Sequence, residues 1–319
     1  MSAPGCSEKD FVRWWREGGA PLVAKNSGTT ERNVYARRRD IEKNRGIMLD
    51  APTSARLKIP ENRLRVNLEI SDGVIVVGSD VHCWPGYMTA GQRAFIKLNA
   101  MLKPTVTILN GDVFDGASIS RHPKAGWDKL PNVAEELKAV REFESAVRKA
   151  WRAKFRIWTR GNHDLRYEQR LAAMNPEYEG VGGTTLKDQF PEWQHCMSAM
   201  INEGSAFPVM VKHRWHNGIH AKHNNTLKSG ISIVTGHLHA LGEARWSNYR
   251  GTHYGVDSGT LADPRGGPFK QYIEDNPVNW RAGFPVLTFY EGRMLQPEFA
   301  EVIDEDDGLV AFRGKVIPV

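Results

Sequence analysis

The sequence has little of what characterises secreted, membrane-bound or disulfide-rich proteins. It contains only three cysteines (Cys6, Cys83 and Cys196), an odd number without a metal-binding spacing. Its longest apolar stretches, near residues 74–77 and 231–234, are far too short to cross a bilayer, and no basic-then-apolar pattern opens the chain. We therefore expect a cytoplasmic protein without a disulfide framework and without a membrane partner.

Positive charge is concentrated at one end of the chain. The net charge is +6, and residues 1–66 contain 14 Lys or Arg against 8 Asp or Glu. The other 253 residues carry 29 of each sign, so the whole excess lies in the first fifth of the sequence. This asymmetry predicts a polyanion partner, namely DNA, for the N-terminal part. A solvated basic face without a partner is the alternative.

The sequence divides into four parts, and nothing in it indicates the oligomeric state. Residues 1–48 have the pattern of helices with short breaks, and residues 49–66 contain two prolines and no helical period, as in a linker. Residues 67–300 alternate strand-like and helix-like segments, which predicts an α/β domain. Residues 301–319 are interpreted as a C-terminal extension.

Five predicted strands of the α/β domain end in polar residues. The strands cover residues 73–78, 105–109, 155–159, 208–212 and 231–235, and helices are predicted over 89–102 and 132–153. Right-handed crossovers make the first three strands parallel. Ligands bind beyond the carboxyl ends of such strands, so we expect the five polar clusters to converge.

The clustered side chains have the chemistry of a metal centre. Two carboxylates, one amide oxygen and four imidazoles suit two divalent cations, most simply Mn²⁺, with Fe or Zn²⁺ as alternatives. A carboxylate that bridges two cations holds them about 3.5–4 Å apart, close enough to clamp a displacement at phosphorus. The predicted ligands are Asp80, His82, Asp112, Asn162, His213, His237 and His239.

The fourth strand leaves its ligand open. His213 directly follows the apolar run 207–211 and is favoured, whereas His216 is the alternative. His220 and His223 are either substrate contacts or solvated loop histidines. For Trp84, Trp158 and Trp215, which lie near the predicted site, core packing is favoured over stacking on a base.

Taken together, these clusters resemble the calcineurin-like metallophosphoesterase superfamily, whose pattern is D-x-H, G-D-x-x-D, G-N-H-[DE], H and G-H-x-H. The match covers roughly residues 74–258. The resemblance implies a four-layer α-β-β-α sandwich. It also implies a first metal held by Asp80, His82 and His239, a second held by Asn162, His213 and His237, and Asp112 as the bridge.

The resemblance further implies that His163 protonates the leaving oxygen and that Asp115 orients His163. Phosphoprotein phosphatases have Arg after the second Asp of G-D-x-x-D, but this chain has Gly116. This departure argues against a protein phosphatase. The residues that we expect to supply the missing positive charge are Arg121, His122, Arg160 or Arg166.

In the N-terminal part, Ala24, Gly28 and Val34 stand at offsets 0, +4 and +10, and Thr30 is placed to cap a second helix over residues 31–43. With this spacing the segment resembles the helix-turn-helix regions of phage and transposon proteins. The alternative is a plain helical hairpin. The residues predicted to contact DNA are Arg32, Asn33, Arg37, Arg38 and Arg39.

The sequence thus predicts a dinuclear phosphodiesterase that cleaves nucleic acid, specifically a DNA nuclease. The first alternative is a phosphomonoesterase acting on small molecules or proteins. The second is a DNA-binding protein with an inactive phosphoesterase domain, although the complete ligand set argues against it.

Overall fold

A computed structural model describes residues 5–46, 49, 62, 64–121, 127, 129–266, 269 and 276–319. Most of the predicted linker and His122 therefore lie outside the described residues. The chain separates into two compact units, residues 1–63 and 64–319. Among the helices described, none is both long and apolar enough to cross a membrane.

Seven α-helices are present in the described part of the chain. They are α1 (Glu8–Ser27), α2 (Glu31–Arg45), α3 (Ala90–Leu102), α4 (Val133–Ala150), α5 (Asp164–Met174), α6 (Leu186–Gln189) and α7 (Ala221–Ser229). The strands are β1 (Arg65–Leu68), β2 (Gly73–Gly78), β3 (Val106–Asn110), β4 (Phe155–Thr159), β5 (Gln194–Cys196), β6 (Ser198–Ile201), β7 (Val209–Val211), β8 (Ser232–Thr235), β9 (Gly242–Asn248), β10 (Gly251–Asp257), β11 (Gly283–Tyr290), β12 (Arg293–Met294), β13 (Glu298–Asp304), β14 (Leu309–Phe312) and β15 (Lys315–Pro318).

The first unit is a pair of helices with its own small core. α1 is kinked at Gly19, two residues before Pro21, and is capped at its C-terminus by Gly28 in the left-handed conformation. Thr30 caps α2 by accepting a hydrogen bond from the backbone N–H of Asn33. Val34 lies in the core together with Phe11, Trp15, Ala20, Val23, Ile41 and Leu49. The turn and cap thus lie where the helix-turn-helix spacing places them, while DNA binding stays a prediction.

The second unit contains two sheets. In the larger sheet the order is β15-β14-β13-β11-β2-β3-β4-β5, with β12 paired to β11. The strands β2, β3, β4 and β5 are parallel, which confirms the orientation predicted for the first three. The smaller sheet has the order β1-β6-β7-β8-β10-β9, in which β8 is parallel to β7 and β10.

The larger sheet has a hydrophobic core on each of its faces, because alternate side chains of its strands point to opposite sides. Val76 points into a core that contains Phe95 of α3 and Phe143 of α4. Its neighbours Ile75 and Val77 point into a second core that contains Val211 and Val234 of the smaller sheet. Helix α7 packs on strands β8, β9 and β10. The result is the expected α-β-β-α sandwich.

The C-terminal residues complete the larger sheet. The region interpreted as an extension, residues 301–319, contains most of β13 and all of β14 and β15, which pair in antiparallel order. Val310 and Phe312 of β14 are buried in the core beneath α3. These residues therefore belong to the sandwich and do not form a separate element.

Candidate metal centre

The loops that follow β2, β3, β4, β7 and β8 meet at one edge of the sandwich. The backbone N–H of Asp80 donates to the carbonyl of Gly111, and the N–H of Gly236 donates to the carbonyl of His213. Glycine is required where these loops approach most closely. A Cβ atom on Gly161 would collide with the Asp112 carboxylate, and one on Gly236 would collide with Ser79.

Backbone strain is concentrated in the same place. Five of the predicted ligands adopt a left-handed backbone conformation: Asp80 (φ 51°), His82 (φ 42°), Asp112 (φ 52°), His237 (φ 74°) and His239 (φ 56°). Only four other non-glycine residues of the described chain have positive φ values. Such conformations cost about 1–3 kcal/mol each and persist where surrounding structure enforces them, most often at functional sites.

One cluster joins Asp80, His82 and His239, whose candidate ligand atoms all lie within 4.8 Å of one another. The Nε2 atom of His239 is 3.1 Å from Oδ1 of Asp80, and Nε2 of His82 is 4.0 Å from the same oxygen. Nε2 of His82 is buried and has no hydrogen-bond partner in the described part of the chain. An unpartnered imidazole nitrogen that faces a carboxylate fits a metal ligand.

A second cluster joins Asp112, His213 and His237 within the same distance. Nε2 of His213 is 3.1 Å from Oδ2 of Asp112, and its Nδ1 bonds to the backbone carbonyl of Asn110. The buried Oδ1 atom of Asn162 has no hydrogen-bond partner among the described residues. His213, and not His216, is thus the histidine of its stretch that joins the cluster, while His220 and His223 are exposed.

The carboxylates and imidazoles of the two clusters shift one another's pKa values. Burial alone would raise the pKa of Asp80, but the imidazoles of His239 and His213 hold it at about 2. Burial opposes a charge on His213, yet Asp112 and Asp80 raise its pKa to about 10. The site therefore attracts positive charge strongly, as a pocket for divalent cations must.

Asp115 contacts both His82, a predicted metal ligand, and His163, the predicted general acid. Its Oδ1 atom lies 2.7 Å from Nδ1 of His82 and 2.9 Å from Nδ1 of His163. Burial opposes ionisation, but hydrogen bonds to His163 and His82 hold the pKa of Asp115 well below its usual range. The sequence indicated the contact with His163 but gave no signal for the one with His82.

His163 lies beside the clusters with 20% of its side chain exposed. Its backbone N–H donates to Oδ1 of Asp112, and its Nε2 is 3.9 Å from Oδ2 of Asp112. Burial lowers the pKa of His163, but Asp112 and Asp115 outweigh it and raise the value. The two carboxylates thus favour protonation of His163, although the nearby Arg166 opposes it, at a position accessible to a ligand.

The buried side chain of Asp164 holds the ligand loops in place by hydrogen bonding, a role that the sequence analysis did not identify. This carboxylate is 1% exposed. It accepts hydrogen bonds from the backbone N–H groups of Asp112, Val113, Phe114 and Gly161 and from Nε1 of Trp158. Asp164 therefore ties the loop after β3 to the loop after β4. The sequence feature that could have indicated this role is the position of Asp164 as the last residue of the G-N-H-D motif.

Of the cations proposed to replace the missing arginine, Arg166 is the one in contact with His163. Its Nη2 lies 3.2 Å from Nε2 of His163, and its Nη1 donates to the carbonyl of Asp115. A side chain on Gly116 would crowd Arg166. Arg160 instead pairs with Glu168 at 2.7 Å, Arg121 is exposed, and His122 lies outside the described residues.

Two aromatic rings that the sequence analysis did not identify pack beside the first cluster. Phe269 contacts the rings of His82 and His239 edge-on at 4.8 and 5.3 Å, and Trp280 contacts His239 at 4.5 Å. Among the tryptophans assigned to core packing, Trp158 is fully buried and Trp84 is half-buried. The assignment was wrong for Trp215, which is 40% exposed because its loop lies outside the sheets.

The residues predicted to contact DNA are not all free to do so. Arg37 donates to the carbonyl of Cys6, and Arg38 bonds to Glu42 and to the carbonyl of Leu49. The two guanidinium groups also lie over the rings of Phe11 and Trp15. Asn33 bonds to Thr29. Arg32 and Arg39 are exposed and form no ion pair with the described residues.

Comparisons with known proteins match residues 73–257 to the calcineurin-like phosphoesterase family. No curated protein matches the chain. Wild-type Vps29 from Entamoeba histolytica, complexed with Zn²⁺, is 14% identical with a TM-score of 0.36, over 76% of this chain and 96% of Vps29. The E. coli phosphoesterase YfcE is 15% identical with a TM-score of 0.35, over 70% of this chain and 97% of YfcE. At such scores neither likeness bears on the chemistry of this chain.

Proposed function

The chain belongs to the calcineurin-like phosphoesterase family, and on that premise we propose that it hydrolyses phosphodiester bonds of nucleic acid, as a DNA nuclease. That it is a metal-dependent phosphoester hydrolase follows from the family. The observation that supports a working centre is that six of the seven predicted ligands form two clusters at one edge of the sandwich, five of them in strained backbone conformations.

We assign the first metal position to Asp80, His82 and His239 and the second to Asn162, His213 and His237, with Asp112 between them. Nitrogen and oxygen atoms that bind one ion at about 2.1 Å are roughly 3–3.5 Å apart, so the two 3.1 Å contacts already have that spacing. Mixed imidazole and carboxylate ligands suit Mn²⁺, with Fe or Zn²⁺ as alternatives.

Two bound divalent ions would supply an activated water and neutralise charge on the phosphate. Proton transfer to the leaving group and contact with the phosphate are assigned to side chains. Asp115 holds Nδ1 of His163, which leaves Nε2 to donate a proton to the leaving oxygen. The guanidinium of Arg166 can only donate hydrogen bonds. Because it lies beside Nε2 of His163, it is placed to donate to a phosphate oxygen bound at the same position.

The nucleic-acid substrate is supported by charge. All of the +6 net charge is contributed by the first 66 residues, and Arg32 and Arg39 of α2 are exposed there. Lys and Arg that contact phosphates release condensed counterions and so provide most of the affinity for DNA. The three cysteines are all unpaired, which agrees with the proposed cytoplasmic location.

The test compares substrates at one concentration of Mn²⁺. Rates are measured on single-stranded and duplex DNA, on bis-p-nitrophenyl phosphate and on p-nitrophenyl phosphate. We expect the diesters, DNA included, to be cleaved faster than the monoester, and chelation of the metal to abolish every activity. A preference for the monoester would instead identify a phosphomonoesterase.

A further inference from the structure

The loop after β7 carries unneutralised positive charge beside the metal centre. Residues 204–242 contain four Lys or Arg and no Asp or Glu. Two of the four, Lys212 and Arg214, flank His213, and neither forms an ion pair with any described residue. Arg214 directly follows the predicted metal ligand His213, and its side chain is exposed. Cations without a carboxylate partner at such a position favour an anionic ligand.

An exposed indole lies within this group of cations. Trp215 follows His213 by two residues and has 40% of its surface exposed. The ring of His216 packs against it at 4.8 Å with a 33° tilt, and the Lys212 ammonium lies 5.8 Å from its centre. These contacts restrain the indole without covering it. A large aromatic side chain held at the surface loses little conformational freedom when a flat ligand binds.

We propose that Trp215 is a stacking platform for a nucleobase next to the scissile phosphate of single-stranded nucleic acid, while Lys212 and Arg214 contact the backbone phosphates. This inference rests on the proposed nuclease function and specifies the strand form of its substrate. In a duplex, both faces of each base are occupied by its neighbours, so only an unstacked base can cover the indole. Aromatic stacking accepts any base, so the platform does not predict sequence preference.

The test uses the full-length protein with Mn²⁺ and two single-stranded oligonucleotides of equal length. One carries normal bases, and the other carries abasic tetrahydrofuran residues at every position, so both offer the same phosphates. The readout is the ratio of kcat/KM on the normal strand to kcat/KM on the abasic strand. Stacking of one base on an aromatic side chain corresponds to a ratio of about 5–150 for the wild type.

We expect Trp215→Ala to reduce this ratio to near one and Trp215→Phe to restore part of it. The matched control is Tyr249→Ala, because Tyr249 is fully exposed in the turn between β9 and β10, at the end of β10 away from the metal centre. Tyr249→Ala should keep the wild-type ratio. A ratio compared within one variant does not depend on how much of that variant is correctly folded.

Two results would overturn the inference in distinguishable ways. If the normal strand is cleaved and Trp215→Ala keeps the wild-type ratio, the platform is wrong while the nuclease function stands. If the wild type hydrolyses methyl p-nitrophenyl phosphate but neither oligonucleotide, the proposed substrate class fails and the platform fails with it.

Discussion

Replacing Asp164 by Asn tests whether the buried carboxylate holds the two ligand loops together. Oδ2 of Asp164 accepts three hydrogen bonds, at 2.9, 2.9 and 3.0 Å, and Oδ1 accepts two, at 3.0 and 3.1 Å. An amide has one oxygen and one NH₂ group, which is a donor. Even in its better orientation, Asn leaves two buried N–H groups facing a donor, here those of Val113 and Phe114.

Each buried donor left without an acceptor costs about 1–3 kcal/mol, so Asp164→Asn should lower the free energy of unfolding by about 2–6 kcal/mol. The measurement is denaturant unfolding of chelator-treated protein, followed by near-ultraviolet circular dichroism. Asp306→Asn is the control, because the Asp306 side chain is 87% exposed and its one ion pair with a described residue is with Arg265 at 3.9 Å. A loss of less than about 1 kcal/mol in Asp164→Asn would refute the view that these five hydrogen bonds hold the loops together.

Three further predictions concern proton transfer, DNA affinity and pH. His163→Ala should lose about 10²–10⁴ in rate on DNA but much less on bis-p-nitrophenyl phosphate, whose leaving group needs no proton; equal losses would contradict the acid role. The double variant Arg32→Ser with Arg39→Ser should make the salt dependence of DNA affinity shallower by about 1.8, at about 0.9 per phosphate contact, and an unchanged slope would mean that α2 is structural. Burial raises the pKa of Glu136 from 4.5 to about 8, so the folded protein keeps a proton that the unfolded chain releases. Stability should therefore fall as pH rises from about 5 to about 8, and Glu136→Gln should flatten that decline; parallel curves would rule this out.

Much of the sandwich could be predicted because its central strands have strong sequence signals. The run Gly73–Gly78 is continuous apolar sequence, and β2 has those same bounds. The C-terminal strands have weaker signals. β13 is half-exposed although it lies between β11 and β14, β15 is an exposed edge strand, and in both strands polar and apolar residues share the same short segment. Only the turn residues Gly308 and Gly314, both in left-handed conformations, marked the hairpins there.

The ligands could be predicted because each directly follows a strand, whereas their neighbours could not. The position of Asp115 after a strand predicts that it reaches the site, but it does not predict that its carboxylate contacts the imidazoles of both His82 and His163. Phe269 and Trp280 reach His239 from a region without periodicity, so no pattern places them. A run of arginines does not distinguish Arg37, which packs on its own helical unit, from an arginine that is free to bind.

The central claim, a dinuclear centre bridged by Asp112, is tested most directly by counting bound metal in Asp112→Asn. Asp112 is 1% exposed, and its carboxylate lies between His213 and His163. An amide lacks the negative charge needed to hold two cations, so the variant should lose most of its metal and its activity. The measurement is the number of Mn²⁺ ions bound per chain by isothermal titration calorimetry, with Asp306→Asn as the control. We expect two ions in the wild type and in the control. Two tightly bound ions and near-wild-type turnover in Asp112→Asn would contradict the account.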